Sequence, residues 1–431
     1  MTVSSALAQA LQAIGPPDTL ARSAMSGATP RRLNNTHIHV PPNFSAFDSV
    51  QQAVGLAAEQ GVEVLGVSNY YDYGAYGEFA RLARASGVFP LFGTEIICLL
   101  DDLVKAGHRI NDPANPGKMY LCGKGITRFE PLSPEAARLI DVIRGKDSGR
   151  MADMIRRINE VFGSAGFDAS LGEQDVKAMV VRRHGCPLEA VYLQERHVAQ
   201  AFQEALAERL APDARADLLT RVYGAPPTAS VEAAVATQNE IRARVMKAGK
   251  PGYVPETFVG YDHARSLILA LGGIPCYPTL ADGATPLCEF ESSPEELVER
   301  MQGLGIHCAE FIPDRNAPDV LARYALTMRR AGIVVTAGTE HNTRDLIPIA
   351  PACKGGAPVP EDVADLFWEG ACVVAAHQYL ACHGLTGLVT PSGAPGDANE
   401  DADARIRGVA ALGASVLNAY RRLALRGATV V

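Results

Sequence analysis

Asn35-Thr36-His37-Ile38-His39-Val40 carries two histidines one residue apart, inside a short run flanked by apolar residues. In a β-strand, residues i and i+2 point to one face, so both imidazoles can reach the same metal ion. A strand bearing two such ligands near its C-terminal end is a good start for a metal site in a barrel. Among ten histidines the pair alone could be coincidence. Its meaning depends on what the rest of the chain adds.

Outward from that pair, strand-like and helix-like stretches alternate. The helix-periodic segment Ser49–Gln60 is followed by Gly61-Val-Glu-Val-Leu-Gly-Val-Ser68, a second helical stretch Gly77–Ser86, and the apolar run Val88 to Cys98. Short connections between such elements are the signature of a parallel sheet. Further strands are expected at Met119–Gly123, Gly273–Tyr277, Cys308–Pro313 and Ile333–Gly338, seven in all. The fold expected is a distorted (β/α)7 TIM-like barrel with an all-helical insertion and a helical C-terminal extension.

Residues 1–32 form an Ala-rich lead-in with a short helix over Ser4–Ala13, and 33–129 the first part of the barrel. Residues 130–260 are charged and helically spaced, as at Ser148–Phe162 and Glu195–Arg209, and read as the insertion. The barrel resumes over 261–345. Within 346–431, an apolar helix with the only tryptophan, Trp368, precedes a polar loop (392–404) and a last helix, Ile406–Leu425. These helices are expected to pack on the barrel or to make a subunit contact, which would give a homo-oligomer.

Composition sets the bounds. The 431 residues can bury a large core, and 47% hydrophobic with 20% charged residues is the balance of a globular protein. A net charge of −8 argues against nucleic acid as a general partner, but not against a small anionic substrate in a pocket. The nine cysteines include no Cys-x-x-Cys pair, and several lie in apolar runs, so reduced thiols are expected. No basic-then-apolar leader and no run of about 20 apolar residues occurs. Cytoplasm is the expected compartment, with no membrane contact.

In a barrel of parallel strands, chemistry collects where strands end. Those ends bring His37 and His39; Asn69, Tyr70 and Tyr71; Glu95; Tyr120; Cys276 and Tyr277; Glu310, Asp314 and Arg315; and Glu340, His341 and Asn342. Two histidines with two or three carboxylates at one mouth make a divalent-metal site of mixed N/O ligands, suited to Zn²⁺, Mn²⁺ or Fe²⁺. The turn-rich Asn111–Lys118 reads either as a rigid surface turn or as a lid whose Lys118 faces the mouth. Lys124 follows a strand end and is a candidate anion holder, with a solvated lysine as the alternative. Arg315 could clamp a carboxylate or phosphate bidentately, or form a surface ion pair.

The series resembles the polymerase-and-histidinol-phosphatase (PHP) superfamily of metal-dependent phosphoesterases, over about residues 33–345. Its His-x-His motif matches His37 and His39, its strand-ending Gly-x-Glu matches Gly93-Thr94-Glu95, and its final Gly-Ser-Asp-x-His is similar to Gly338-Thr339-Glu340-His341-Asn342. The insertion resembles the family's helical insert through His197-Val198-Ala199 and Lys250-Pro251-Gly252-Tyr253-Val254. The resemblance implies a metal held by His37, His39, Glu95 and Glu340, with His341 as a fifth ligand or a base.

Three family histidines are tyrosines here: Tyr70, Tyr120 and Tyr277. A phenol with pKa near 10 ligates poorly unless ionised, but it is a good hydrogen-bond donor or general acid. The expectation is therefore one divalent ion, two at most, ringed by tyrosines that orient substrate or donate a proton. Arg315, Lys124, Lys118 and Asn69 would contact the substrate. The leading function is metal-dependent hydrolysis of a small anionic, phosphoester-like substrate. The alternatives are a mononuclear-metal lyase, isomerase or dehydratase acting on a sugar or sugar acid, and an inactive binding barrel.

Overall fold

The strands that build the barrel are short and buried on both faces, which requires a layer of helices outside and a filled interior within. In the computed structural model, which describes residues 9–24, 30–396 and 401–427, they are β1 (Asn34–Ile38), β2 (Val64–Val67), β3 (Phe89–Leu99), β4 (Lys118–Lys124), β5 (Val259–Gly260), β6 (Ile274–Thr279), β7 (Cys308–Phe311) and β8 (Val334–Ala337). The sheet runs β1-β2-β3-β4-β6-β7-β8, with the two-residue β5 attached to β3. A parallel bridge from Ile38 to Glu340 joins β8 back to β1, so the barrel nearly closes. The expected helices lie between the strands, at Val50–Glu59 and Tyr76–Ala85 in the first half.

One strand departs from the parallel expectation. β4 runs antiparallel to both β3 and β6, with Glu95 opposite Cys122 and Cys122 opposite Cys276. The link from β3 contains only a six-residue helix, Asp101–Ala106. Such a helix advances the chain by about 9 Å, whereas a parallel neighbour would have to begin about 23 Å away for a seven-residue strand. The turn-rich Asn111–Lys118 instead sends the chain straight back. The N-terminal end of β4 therefore lies at the mouth, and its C-terminal end lies deep.

Helix Pro134–Ser164, capped by the Ser133 hydroxyl, starts earlier than its periodicity predicts and serves two cores. Leu139, Ile140 and Ile143 join the barrel's core, while Met154, Ile158 and Phe162 join a separate apolar cluster with Phe202 and Val245. Of that cluster, the start of helix Glu195–Arg209 and the segment Arg242–Met246 with Lys247 reach the cavity at the barrel mouth. At the C-terminal end, helix Glu361–Cys382 packs on β8, and helix Ala402–Gly427 crosses it. Any side chain at Gly413 would collide with the Cys372 backbone, so the close approach of the two helices at that point requires glycine. The helix expected at Ser4–Ala13 falls partly outside the described residues, of which 9–12 are helical. The loop expected at 392–404 also lies partly outside them. All nine cysteines are free. Among the described residues, no helix is long and apolar enough to cross a membrane.

Candidate metal centre and its cavity

β1 is polar yet wholly buried, so each of its polar groups needs a partner. Asn35 Nδ2 donates to Thr339 Oγ1 (2.6 Å) and to the Ile349 carbonyl (2.8 Å), which ties β1 to the chain beyond β8. His37 Nδ1 lies 2.6 Å from Glu310 Oε1. A proton on Nδ1 satisfies this contact and leaves Nε2, on the side of Glu95, as the nitrogen that could bind a metal. There His37 Nε2 and His39 Nε2 are 3.3 Å apart, and Glu95 Oε2 is 3.5 Å from the first and 3.0 Å from the second. These three atoms could hold one metal ion.

The surroundings fit a cation. Glu95 is 3% exposed, and its Oε2 accepts no well-aligned hydrogen bond. Burial alone would raise its carboxyl, but the two histidines outweigh that and hold it well below the usual range. Burial likewise disfavours a charged His37, but Glu310 carries its pKa well above the ordinary value. The negative charge that favours a proton on His37 equally favours a metal cation beside it.

Glu310 is itself held. It is fully buried, ion-paired with Lys124 and 3.2 Å from the Thr36 hydroxyl, and Lys124 Nζ also donates to the Thr36 carbonyl at 3.1 Å. Burial opposes its ionisation, yet Lys124 and His37 bring its pKa down to about 2. Cys122, His37 and Glu310 also cluster. That second group already contains the Lys124 ammonium and the His37 Nδ1 proton, so it is a support for His37 and no second metal site. At Gly338 a Cβ would lie 2.4 Å from the His37 Cβ, and the bare backbone is what lets β8 close on this corner.

A cavity of about 500 Å³, lined by Glu95, opens beside the triad. Tyr70 lines it and stacks on His39, with centroids 5.2 Å apart and planes 4° apart. Burial and Glu95 push its phenol well above the usual value. Tyr120 enters from the N-terminal end of β4 and is pushed up to about 12 by burial, against the pull of Lys118. Lys118 faces the same space, paired with Asp112 at 3.2 Å and Glu256 at 3.8 Å. Arg315 also lines it and clamps Glu340 through both guanidinium nitrogens.

The expected site is therefore only partly assembled. Glu340 reaches the cavity, but Arg315 and Asn342 Nδ2 (2.6 Å) occupy its oxygens, and it does not join the triad. His341 has both ring nitrogens in use, Nδ1 with Thr339 Oγ1 at 2.8 Å and Nε2 with the Ile347 carbonyl at 3.0 Å, and it stacks on Phe47 away from the cavity. Tyr277 lies on the outer face of β6, where its hydroxyl donates to Glu291 at 2.8 Å; Cys276 takes the inner face. Lys124 lies deep because β4 is antiparallel, so it meets Glu310 and not the substrate. Asn69 uses its side chain to bridge the Val40 N–H and carbonyl, both at 2.9 Å.

Several cavity residues were not singled out by the sequence. Asp147, Arg150, Glu195, Arg196 and Lys247 come from the helical segment above the mouth. Their spacing on amphipathic helices looks like any solvated face, so no signal distinguished them. Glu310 stood among the strand ends, but nothing there marked it as the partner of His37.

No protein-family model matches this chain, and no curated protein matches it. Among solved structures, it is similar to a Bifidobacterium adolescentis protein assigned as a metal-dependent phosphoesterase. That match has 16% identity over 78% of this chain and 96% of the other, with a TM-score of 0.53. It is also similar to an amidohydrolase of Chromobacterium violaceum solved with bound sulfate and no metal, at 18% identity over 77% and 96%, with a TM-score of 0.48. At these identities the first likeness is one of fold, and it agrees with the distorted TIM-like barrel described above.

Proposed function

We propose that this protein is a metal-dependent hydrolase of a small anionic, phosphoester-like substrate, in the manner of the PHP superfamily it resembles. The observation that carries this reading is the convergence of His37 Nε2, His39 Nε2 and Glu95 Oε2 beside a charged cavity. The phosphoesterase assignment of the similar Bifidobacterium barrel supports the same direction. A divalent ion held there (manganese, zinc or iron) would lower the pKa of a bound water toward neutrality and polarise the scissile group.

The chain's own residues supply the rest. His37 is held in one tautomer and orientation by Glu310. Arg315 takes negative charge on the substrate while keeping Glu340 neutralised. Tyr70 and Tyr120 stay protonated at neutral pH, so each can donate a hydrogen bond or a proton to a departing oxygen. Among the described residues only one ligand triad opens on the cavity, which favours a single ion.

That single triad also favours a second reading, a mononuclear-metal lyase or isomerase of a sugar acid, because phosphate esters usually call on two metals. Metal content of the purified protein, with a panel of phosphate esters and sugar acids, separates the two. Chelator-sensitive phosphate release supports hydrolysis. Turnover of sugar acids without phosphate release supports the second reading. A protein that takes up no metal after reconstitution defeats both.

A further inference from the structure

The cavity is crowded with charge, and nearly all of that charge is matched. Arg150 pairs with Glu195 (3.0 Å) and Glu256 (3.2 Å), Lys247 with Glu195 (2.7 Å), and Arg242 with Glu195 (3.6 Å). Lys118 and Arg315 have the carboxylate partners given above. Arg196, on the first turn of helix Glu195–Arg209, is different. Among the described residues its guanidinium makes no salt bridge and no hydrogen bond; the Phe44 ring lies 6.0 Å away to its centroid, and Glu340 acts on it only at longer range. Burial and the nearby Arg242 pull its pKa down to about 10, outweighing the more distant Tyr120, Glu340 and Tyr70.

A second group in the same cavity is also without an acceptor. Tyr71 is 2% exposed and lines the cavity; the Ile97 backbone N–H lies near its oxygen, but its hydroxyl proton has no protein acceptor. Its backbone sits in the left-handed region, φ 51°, rare for a bulky residue. Arg144 Nε holds it there by donating to the Tyr71 carbonyl at 2.9 Å. Burial, with Asp147 close by, keeps the phenol protonated. A buried protonated hydroxyl and a partly buried unpaired guanidinium are both donors in need of an acceptor, and each left unmet is costly.

We propose that Arg196 and the Tyr71 hydroxyl form an oxyanion subsite, through which the helical segment above the barrel mouth selects substrates bearing a phosphoryl group. The planar guanidinium offers paired N–H donors to two oxygens of a tetrahedral anion, and the phenol offers a third donor. The subsite deepens the hydrolase reading and rests on it only for the identity of the anion. Arg196 and Tyr71 act here as specificity determinants, beside the residues placed at the metal.

Titration calorimetry with inorganic phosphate tests the subsite on the full-length protein, chelator-treated and metal-loaded. Chelator-treated wild type is expected to bind phosphate, Arg196→Gln to bind at least 10-fold more weakly, Tyr71→Phe about 3- to 10-fold more weakly, and Arg196→Lys in between. Thermal melts identify any variant that fails to fold, and Arg196→Lys then carries the comparison through loss of the bidentate fork. Phosphate affinity unchanged in Arg196→Gln, or no phosphate binding by wild type, overturns the proposal. Arg196-dependent binding in a protein that turns over no phosphate ester would keep the subsite and overturn the hydrolase reading. Turnover with Arg196-independent affinity would do the reverse.

Discussion

The ends of β1 and β8 lie side by side, and both present a histidine and a metal-binding motif, yet they arrive in opposite states. At the end of β1, His37 and His39 turn Nε2 toward Glu95, which lines the cavity, while Glu310 occupies the far nitrogen of His37. At the end of β8, Arg315 and Asn342 occupy the Glu340 oxygens, and Thr339 and the Ile347 carbonyl occupy both nitrogens of His341. A ligand-type residue becomes a ligand only if its neighbours leave the right atom free. Neighbours supplied by other strands decide that.

The largest effect that would break this comparison is on metal content. His39→Ala should lose bound metal, with affinity falling by more than the ~10- to 100-fold typical of supporting residues, whereas Glu340→Gln should keep metal to within about threefold of wild type. Metal analysis after dialysis decides it. Metal lost from Glu340→Gln and kept by His39→Ala would invert the roles of the two strand ends.

Next comes the support beneath His37. Glu310→Gln should weaken metal binding about 10- to 100-fold and, by leaving Lys124 buried without a counter-charge, cost about 3–5 kcal/mol in urea unfolding of the metal-free protein. The double variant Glu310→Gln/Lys124→Met should recover stability without recovering metal affinity. The carboxyl of Glu310 is depressed to about 2 from 4.5 in the fold. Its contribution is therefore complete above pH 4.5 and lost as pH falls through about 2, worth at most ~3 kcal/mol. A flat wild-type stability profile across that window, matching the double variant, would remove Glu310 from the account.

Smaller effects belong to groups farther from the triad. Arg315→Gln should lower kcat/KM for an anionic substrate about 10- to 100-fold, the worth of a charged hydrogen bond, with metal content unchanged. Tyr277→Phe should leave turnover within about twofold and cost roughly 1 kcal/mol through the unmet Glu291. A 100-fold loss of turnover in Tyr277→Phe would place that phenol at the chemistry after all.

Much of the architecture was legible along the chain because strands and helices are written in local periodicity. All seven expected strands form. The helices Ser49–Gln60, Gly77–Ser86 and Glu195–Arg209 fall within a residue of their expected ends. The His37/His39 pair was legible for the same reason: i and i+2 share a face in any strand, whatever surrounds it. Glu95 lies inside the apolar run Val88 to Cys98, and its resemblance to a Gly-x-Glu motif was what marked it as a ligand.

What local pattern does not contain is which way a strand runs and who stands opposite. The reversal of β4 keeps Tyr120 at the mouth, where it was expected, but carries Lys124 to the depths, away from the cavity. The face taken by Tyr277 depends on the pleat of β6, which shifts by one residue without changing composition. The pairing of Arg315 with Glu340, of Glu310 with His37, and the isolation of Arg196 and Tyr71 are contacts between segments distant in the chain. The sequence by itself determined the barrel and the metal-binding corner on β1. Tertiary structure alone decided which of the remaining charged and phenolic groups are neutralised by a neighbour and which are left free for a ligand.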